Sequence, residues 1–220
     1  MSISDNLNKI KATIPKGVTL VAVSKTKPVS ELMEAYNAGQ RIFGENKIQE
    51  MMQKWEEMPK DIEWHMIGHV QRNKVKYMAE YVRLVHGVDS FKLLKEINKQ
   101  ASKHNRTINC LLQVHIAEEE TKFGMDKYEI ASLLASKEYK ELLNVKVVGL
   151  MGMATFTDSQ EQISKEFKYL NSLYNEFKAE NTEFNTLSMG MSGDYKLAID
   201  YGSNMVRIGS SIFGNRNYVK

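Results

Sequence analysis

The feature that most constrains this chain is an alternation, repeated along its whole length, of one short apolar run and one longer helical pattern. Eight runs read as strands, centred on Leu20–Val23, Arg41–Phe43, Glu63–Ile67, Leu84–His86, Cys110–Ile116, Lys146–Leu150, Thr186–Met189 and Met205–Ile208. Several are β-branched or continuously apolar, as strands buried on both faces should be. Helices fall between them. Pro28 suits a first turn and Gly39 follows the last, which frames Val29 to Ala38. Ser90 caps a helix whose apolar face carries Phe91, Leu94, Ile97 and Ala101. Ser159 with Gln162 forms a capping-box pattern, and Asp194 caps a short helix ended by Gly202.

Strand then helix, repeated without a long linker, predicts parallel strands with right-handed crossovers. Eight such units close into a single (β/α)₈ barrel, a TIM barrel of class α/β, over residues 1–220. A typical barrel has ~250 residues, so one of 220 is compact. The last strand has little chain after it, and a helix over Asp5 to Ala12 is expected to cover the remaining gap in the ring. An open doubly wound sheet is the alternative.

Composition narrows the function classes. Hydrophobic residues make up 42% and charged residues 26%, an ordinary globular balance. A net charge of +3 is too small to argue for nucleic acid or a membrane surface. The basic run from Gln71 to Lys76 reads as a solvated helix start. No apolar run approaches membrane-spanning length, and the N-terminus lacks the apolar core of a signal peptide. A cytoplasmic protein is expected. The lone cysteine, Cys110, lies in an apolar run and reads as a buried thiol.

In a barrel of this kind the active face lies at the C-terminal strand ends. Lys25 ends the apolar run Leu20–Val23, where partial desolvation disfavours an ammonium and Lys27 adds like-charge pressure. Both favour a neutral amine able to form a Schiff base. By position alone a solvated surface lysine is the commoner reading. The seventh and eighth loops shift the balance. Gly190-Met191-Ser192-Gly193 and Gly209-Ser210-Ser211 gather small residues and hydroxyls at the two places where this fold recurrently binds phosphate. Arg207, within an apolar strand, needs a partner: a ring heteroatom, or a carboxylate such as Glu45 or Asp200. His65, His86 and His115 end consecutive strands and form the competing case, a metal-dependent hydrolase. No acidic residue recurs there in a ligand pattern, so metal is the weaker reading.

These stretches resemble the pyridoxal 5′-phosphate (PLP) homeostasis protein family. The likeness is carried by Val21 to Pro28, Phe43-Gly44-Glu45-Asn46 with Gln49-Glu50, Trp64 to Lys74, Gly149 to Met151, Leu187 to Asp194 and Val206 to Gly214. The resemblance implies a barrel like the N-terminal domain of alanine racemase, with PLP held as a Schiff base on Lys25. It implies phosphate contacts from Ser192 and from the backbone around Gly209 and Ser210, Arg207 facing the pyridine nitrogen, and Asn46 near the cofactor. It also implies a regulator of the PLP supply without established turnover, with apo-enzymes as possible acceptors. One departure is His115, where the family usually has asparagine; Glu119, Lys122 and Gly124 follow at the family's spacing.

What the resemblance implies for Arg207 and for racemases of this fold agrees with a non-catalytic role. Racemases of this fold need a second domain, for which a chain ending soon after the eighth strand is expected to have no room. An arginine on the pyridine nitrogen keeps it unprotonated and weakens the ring as an electron sink. A small PLP-dependent racemase is the alternative, separated by amino-acid turnover.

Overall fold

The computed structural model describes residues 2–119 and 123–214. Eight strands form the frame: β1 (Thr19–Val23), β2 (Ile42–Glu45), β3 (Glu63–Met66), β4 (Val82–Val88), β5 (Ile108–Val114), β6 (Val145–Gly152), β7 (Thr186–Met191) and β8 (Met205–Ile208). All neighbouring strands pair in parallel, and β8 returns to β1 with Val21 opposite Arg207, so the sheet is a closed barrel. Each strand coincides with one of the apolar runs, and the open-sheet alternative is excluded by the β8–β1 pairing. The helices are α1 (Ile3–Thr13), α2 (Val29–Asn37), α3 (Ile48–Glu57), α4 (Phe91–Ser102), α5 (Lys127–Ala135), α6 (Lys137–Lys140), α7 (Gln160–Glu180), α8 (Tyr195–Asp200) and α9 (Ser210–Phe213), with a 3-10 helix over Arg72–Tyr77.

Side chains alternate across each strand, which separates two cores. Outward residues such as Leu20, Ala22 and Phe43 pack under the helices. Inward residues, among them Val21, Leu84, Leu111, Met151 and Met205, fill the barrel. The same parity turns Val21, Met205 and Arg207 inward, and Lys25 follows β1 on the turn at its C-terminal end.

Helix α1 covers the gap in the ring as expected. Leu7 is fully buried, Asn6 Nδ2 donates to Ile212 O at 3.1 Å, and Ser4 N donates to Glu34 Oε1 at 3.2 Å, which seats α1 between α9 and α2. The caps are partly as read. Ser90 accepts from Leu93 N and Ser159 from Gln162 N. The reciprocal half of the Ser159 box does not form, because Gln162 Nε2 turns down the helix to Glu166 Oε1, at 3.3 Å. Asp194 does not cap α8. Its Oδ1 accepts from Met191 N at 2.6 Å and tightens the turn before the helix instead. Pro28 is the residue before the first turn of α2, not within it.

Candidate functional site

A cavity of about 560 Å³ opens at the C-terminal ends of the strands. Lys25, Asn46, Ser192, Arg207, Gly209 and Ser210, the six residues singled out in the sequence, all line it. This is within the usual size of a small-molecule site.

Lys25 enters on the turn after β1. The next residue, Thr26, has φ +64°, a left-handed conformation that is uncommon for any side chain and worse for a β-branched one. Its N–H donates to Glu50 Oε1 at 2.5 Å. Lys27 also lines the cavity, but its ammonium donates to Phe213 O at 2.6 Å and pairs with Glu31 at 3.3 Å. Glu31 offsets the charge that the sequence suggested would press on Lys25.

Asn46 follows β2 at close quarters with the turn after β3. A Cβ on Gly68 would stand 2.6 Å from the Asn46 carbonyl oxygen, so only glycine allows this approach. Opposite, the seventh and eighth loops are tied together: Gly209 N donates to Ser192 Oγ at 3.2 Å. A Cβ on Gly209 would meet Val23 O at 3.0 Å and Val23 Cβ at 3.2 Å. The backbone of β1 therefore also leaves little room for a side chain at Gly209.

Arg207 is buried, and the acceptors of its guanidinium are neutral. Nη1 donates to Ser188 Oγ at 2.6 Å and Ser188 O at 3.0 Å, and Nη2 to Gly152 O at 3.1 Å. No pair with Glu45 or Asp200 forms. Glu45 is spent on Ser24 and Lys54, and Asp200 lies at the end of α8. Burial lowers the Arg207 pKa to about 10, with Asp194 opposing the change. The guanidinium stays charged at neutral pH.

Behind Arg207 lies a chain the sequence had not connected. His86 Nδ1 lies 3.1 Å from Ser188 Oγ, and His86 Nε2 lies 3.1 Å from His65 Nδ1. Burial drives both imidazoles toward the neutral form, His65 to about 3, helped by Arg83 for His65 and by His65 and Arg207 for His86. Ser188 accepts from Arg207, which leaves its hydroxyl proton for His86 Nδ1; His86 then donates from Nε2 to His65. The three histidines of the row do not converge on one point. His115 stands apart, with Nε2 on Glu119 O at 3.0 Å, and no group of three or more metal-ligating side chains occurs among the described residues.

His115 does not line the cavity; Gln113, two residues earlier, does, and its Nε2 donates to Phe123 O at 2.8 Å. Phe123 stacks on His69 with ring centroids 4.0 Å apart, and His69 Nδ1 pairs with Asp89 at 3.0 Å. Phe123 and the almost wholly exposed Phe156 give the mouth an aromatic rim. Lys122, part of the motif after β5, lies outside the described residues. Gly124 has φ +148°, and a Cβ there would stand 2.4 Å from His115 N, so the loop requires glycine.

The comparisons with known proteins agree with this geometry. The family described as alanine racemase, N-terminal domain, matches residues 1–217. A pyridoxal phosphate homeostasis protein of Aquifex aeolicus is 41% identical over 202 residues, covering 90% of this chain and 87% of its own. The structure of PipY from Synechococcus elongatus without PLP superposes with a TM-score of 0.91 at 32% identity, covering 97% of this chain and 100% of that one. The structure of PipY with PLP bound gives 0.88 with the same identity and coverage. Alanine racemase of Clostridium difficile shares the fold at a TM-score of 0.81 and 14% identity; the match covers 99% of this chain and 61% of the racemase.

Proposed function

Because the chain belongs to the alanine racemase N-terminal domain family, and within it to the pyridoxal phosphate homeostasis proteins, we propose that it binds PLP in the barrel mouth and serves the cell's PLP balance without running amino-acid turnover. One observation carries this reading: an amine, a buried guanidinium and a tied pair of small-residue loops line the same cavity. When bound, PLP supplies an aldehyde that condenses with a primary amine, releasing water, and a ring that withdraws electrons.

On this reading Lys25 Nζ holds the aldehyde carbon. Ser192 Oγ–H and the N–H groups around Gly209 and Ser210 hold the phosphate, and Asn46 borders the ring. Arg207 keeps its proton and points it at the pyridine nitrogen, which then carries none. Its neutral surroundings leave the full charge available to an anionic ligand. Apo-enzymes that need PLP are the acceptors this reading names, and the cytoplasm is where they would meet it. No described helix is long and apolar enough to cross a membrane.

Borohydride treatment of the PLP-loaded protein should fix one pyridoxyl group on the peptide carrying Lys25, and Lys25→Ala should lose both the adduct and the yellow colour. An adduct on Lys27 would overturn the assignment. Turnover of any amino acid in a broad panel near ~1–10³ s⁻¹ would replace the carrier reading with an enzyme.

A further inference from the structure

Beneath the Lys25 turn lies a buried ionic cluster that neither the cofactor reading nor the cavity lining includes. Lys54 sits on the inner face of α3 with its side chain 5% exposed. Its ammonium has three protons and three acceptors: Ser24 O at 2.8 Å, Glu45 Oε1 at 2.7 Å and Glu50 Oε1 at 2.7 Å. Glu45 Oε1 also accepts from Ser24 Oγ at 2.6 Å, and Glu50 Oε1 from Thr26 N at 2.5 Å. The residues on both sides of Lys25 are therefore held by one cation and its two carboxylates. The conformation they hold is the unfavourable left-handed one at Thr26. A strained turn persists only where its surroundings over-determine it: Lys27 N donates to Ser24 O at 3.1 Å and closes the turn from the backbone, while Glu50 is the side chain that holds Thr26 N.

We propose that Lys54 and Glu50 are positioning residues for Lys25, clamping the Ser24–Thr26 turn so that the amine enters the cavity at the height where a phosphate-anchored ligand presents its aldehyde. The inference rests on the cofactor reading above and adds residues outside the cavity to it. The clamp is expected to act on the covalent bond and not on the phosphate contacts. The phosphate cradle belongs to β7 and β8 and shares no residue with it.

Two ligands separate these effects. PLP uses the cradle and Lys25; pyridoxine 5′-phosphate has the same ring and phosphate, but an alcohol replaces the aldehyde, so it uses the cradle alone. Equilibrium binding of both should be measured for wild type, Lys54→Met and Glu50→Gln, with thermal melts and the borohydride-trapped yield on Lys25. Lys54→Met should lose about ten-fold or more in PLP affinity and a matching share of trapped adduct, with pyridoxine 5′-phosphate affinity unchanged. Glu50→Gln, at a half-buried site, should keep the fold and lose less in the same direction. If Lys54→Met fails to fold, Glu50→Gln decides: PLP affinity equal to wild type there overturns the inference. So does an equal loss for both ligands in either variant. Wild type that traps no adduct on Lys25 overturns the cofactor reading and the inference with it.

Discussion

Arg207 and Lys54 are both about 4% exposed, yet the barrel meets the two charges differently. Lys54 is matched by two carboxylates, and every proton of its ammonium is used inside the protein. Arg207 is matched by a serine and two carbonyls, with two neutral imidazoles behind the serine. An isolated buried charge is costly, and hydrogen bonds from neutral dipoles reduce that cost without cancelling the charge. The Lys54 cluster ties every ammonium proton to the Ser24 carbonyl and two carboxylates, with Glu45 Oε2 left buried without a partner among the described residues. The Arg207 cluster has no carboxylate among its hydrogen-bond acceptors, and Arg207 lines the cavity.

The two clusters should respond to acid with opposite signs, and that is the strongest way to break the comparison. His65 and His86 are neutral in the fold and charge near 6.5 once unfolded. Below 6.5 the unfolded chain binds more protons, so the stability they contribute is complete above pH 6.5 and is lost as the pH falls toward 3. For His65 the interval from 6.5 to about 3, at roughly 1.4 kcal/mol per pH unit, makes about 5 kcal/mol. Urea unfolding between pH 7 and 4 should show about 3 kcal/mol of this loss in wild type and a flatter profile in His65→Gln. Parallel profiles would mean that the imidazole pair is not held neutral.

Glu45 should act the other way and more weakly. Burial raises its pKa from 4.5 to about 6 against the pull of Lys54 and Ser24. Between those values the folded state binds more protons than the unfolded one, so this residue's contribution falls as pH rises from 4.5 through 6. The interval corresponds to about 2 kcal/mol. Glu45→Gln removes it, so the stability difference between variant and wild type should drift by about that amount in favour of the variant from pH 4 to pH 8. A difference that does not drift would show Glu45 to be ionised as readily in the fold as in water.

The smallest expected effect sharpens the comparison at the ligand side. Ser192→Ala removes one hydroxyl from the cradle and the tie from Gly209 N. PLP affinity should fall about ten-fold, or ~1.4 kcal/mol, with a much smaller change for pyridoxal, which has no phosphate. Equal losses for the two ligands by equilibrium dialysis would move the phosphate away from these loops.

Much of the candidate site was legible from the order of strands and loops. Once Leu20–Val23 and Met205–Ile208 are strands of a barrel, Lys25 falls at the C-terminal end of the first and Arg207 within the last. The small-residue loops after β7 and β8 were legible by their place in the same order. The cap at Asp194 was misread because a carboxylate there can turn forward to the helix or back to Met191, and sequence spacing does not distinguish them. Lys54 was missed although a signal existed: on α3 it falls on the buried face marked by Ile48 and Met51, where a lysine demands a partner.

The amino-acid sequence by itself determined the eight strands, their order, the barrel they close and the end of it that carries the amine and the small-residue loops. Those follow from local periodicity and from connection rules that act between neighbours in the chain. Which polar groups meet was decided only by the tertiary structure. His65, His86, Ser188 and Arg207 come from four strands, and Ser24, Glu45 and Lys54 from three elements. Their pairing depends on barrel stagger and on side-chain reach of a few ångströms, neither of which is written in any local stretch of sequence.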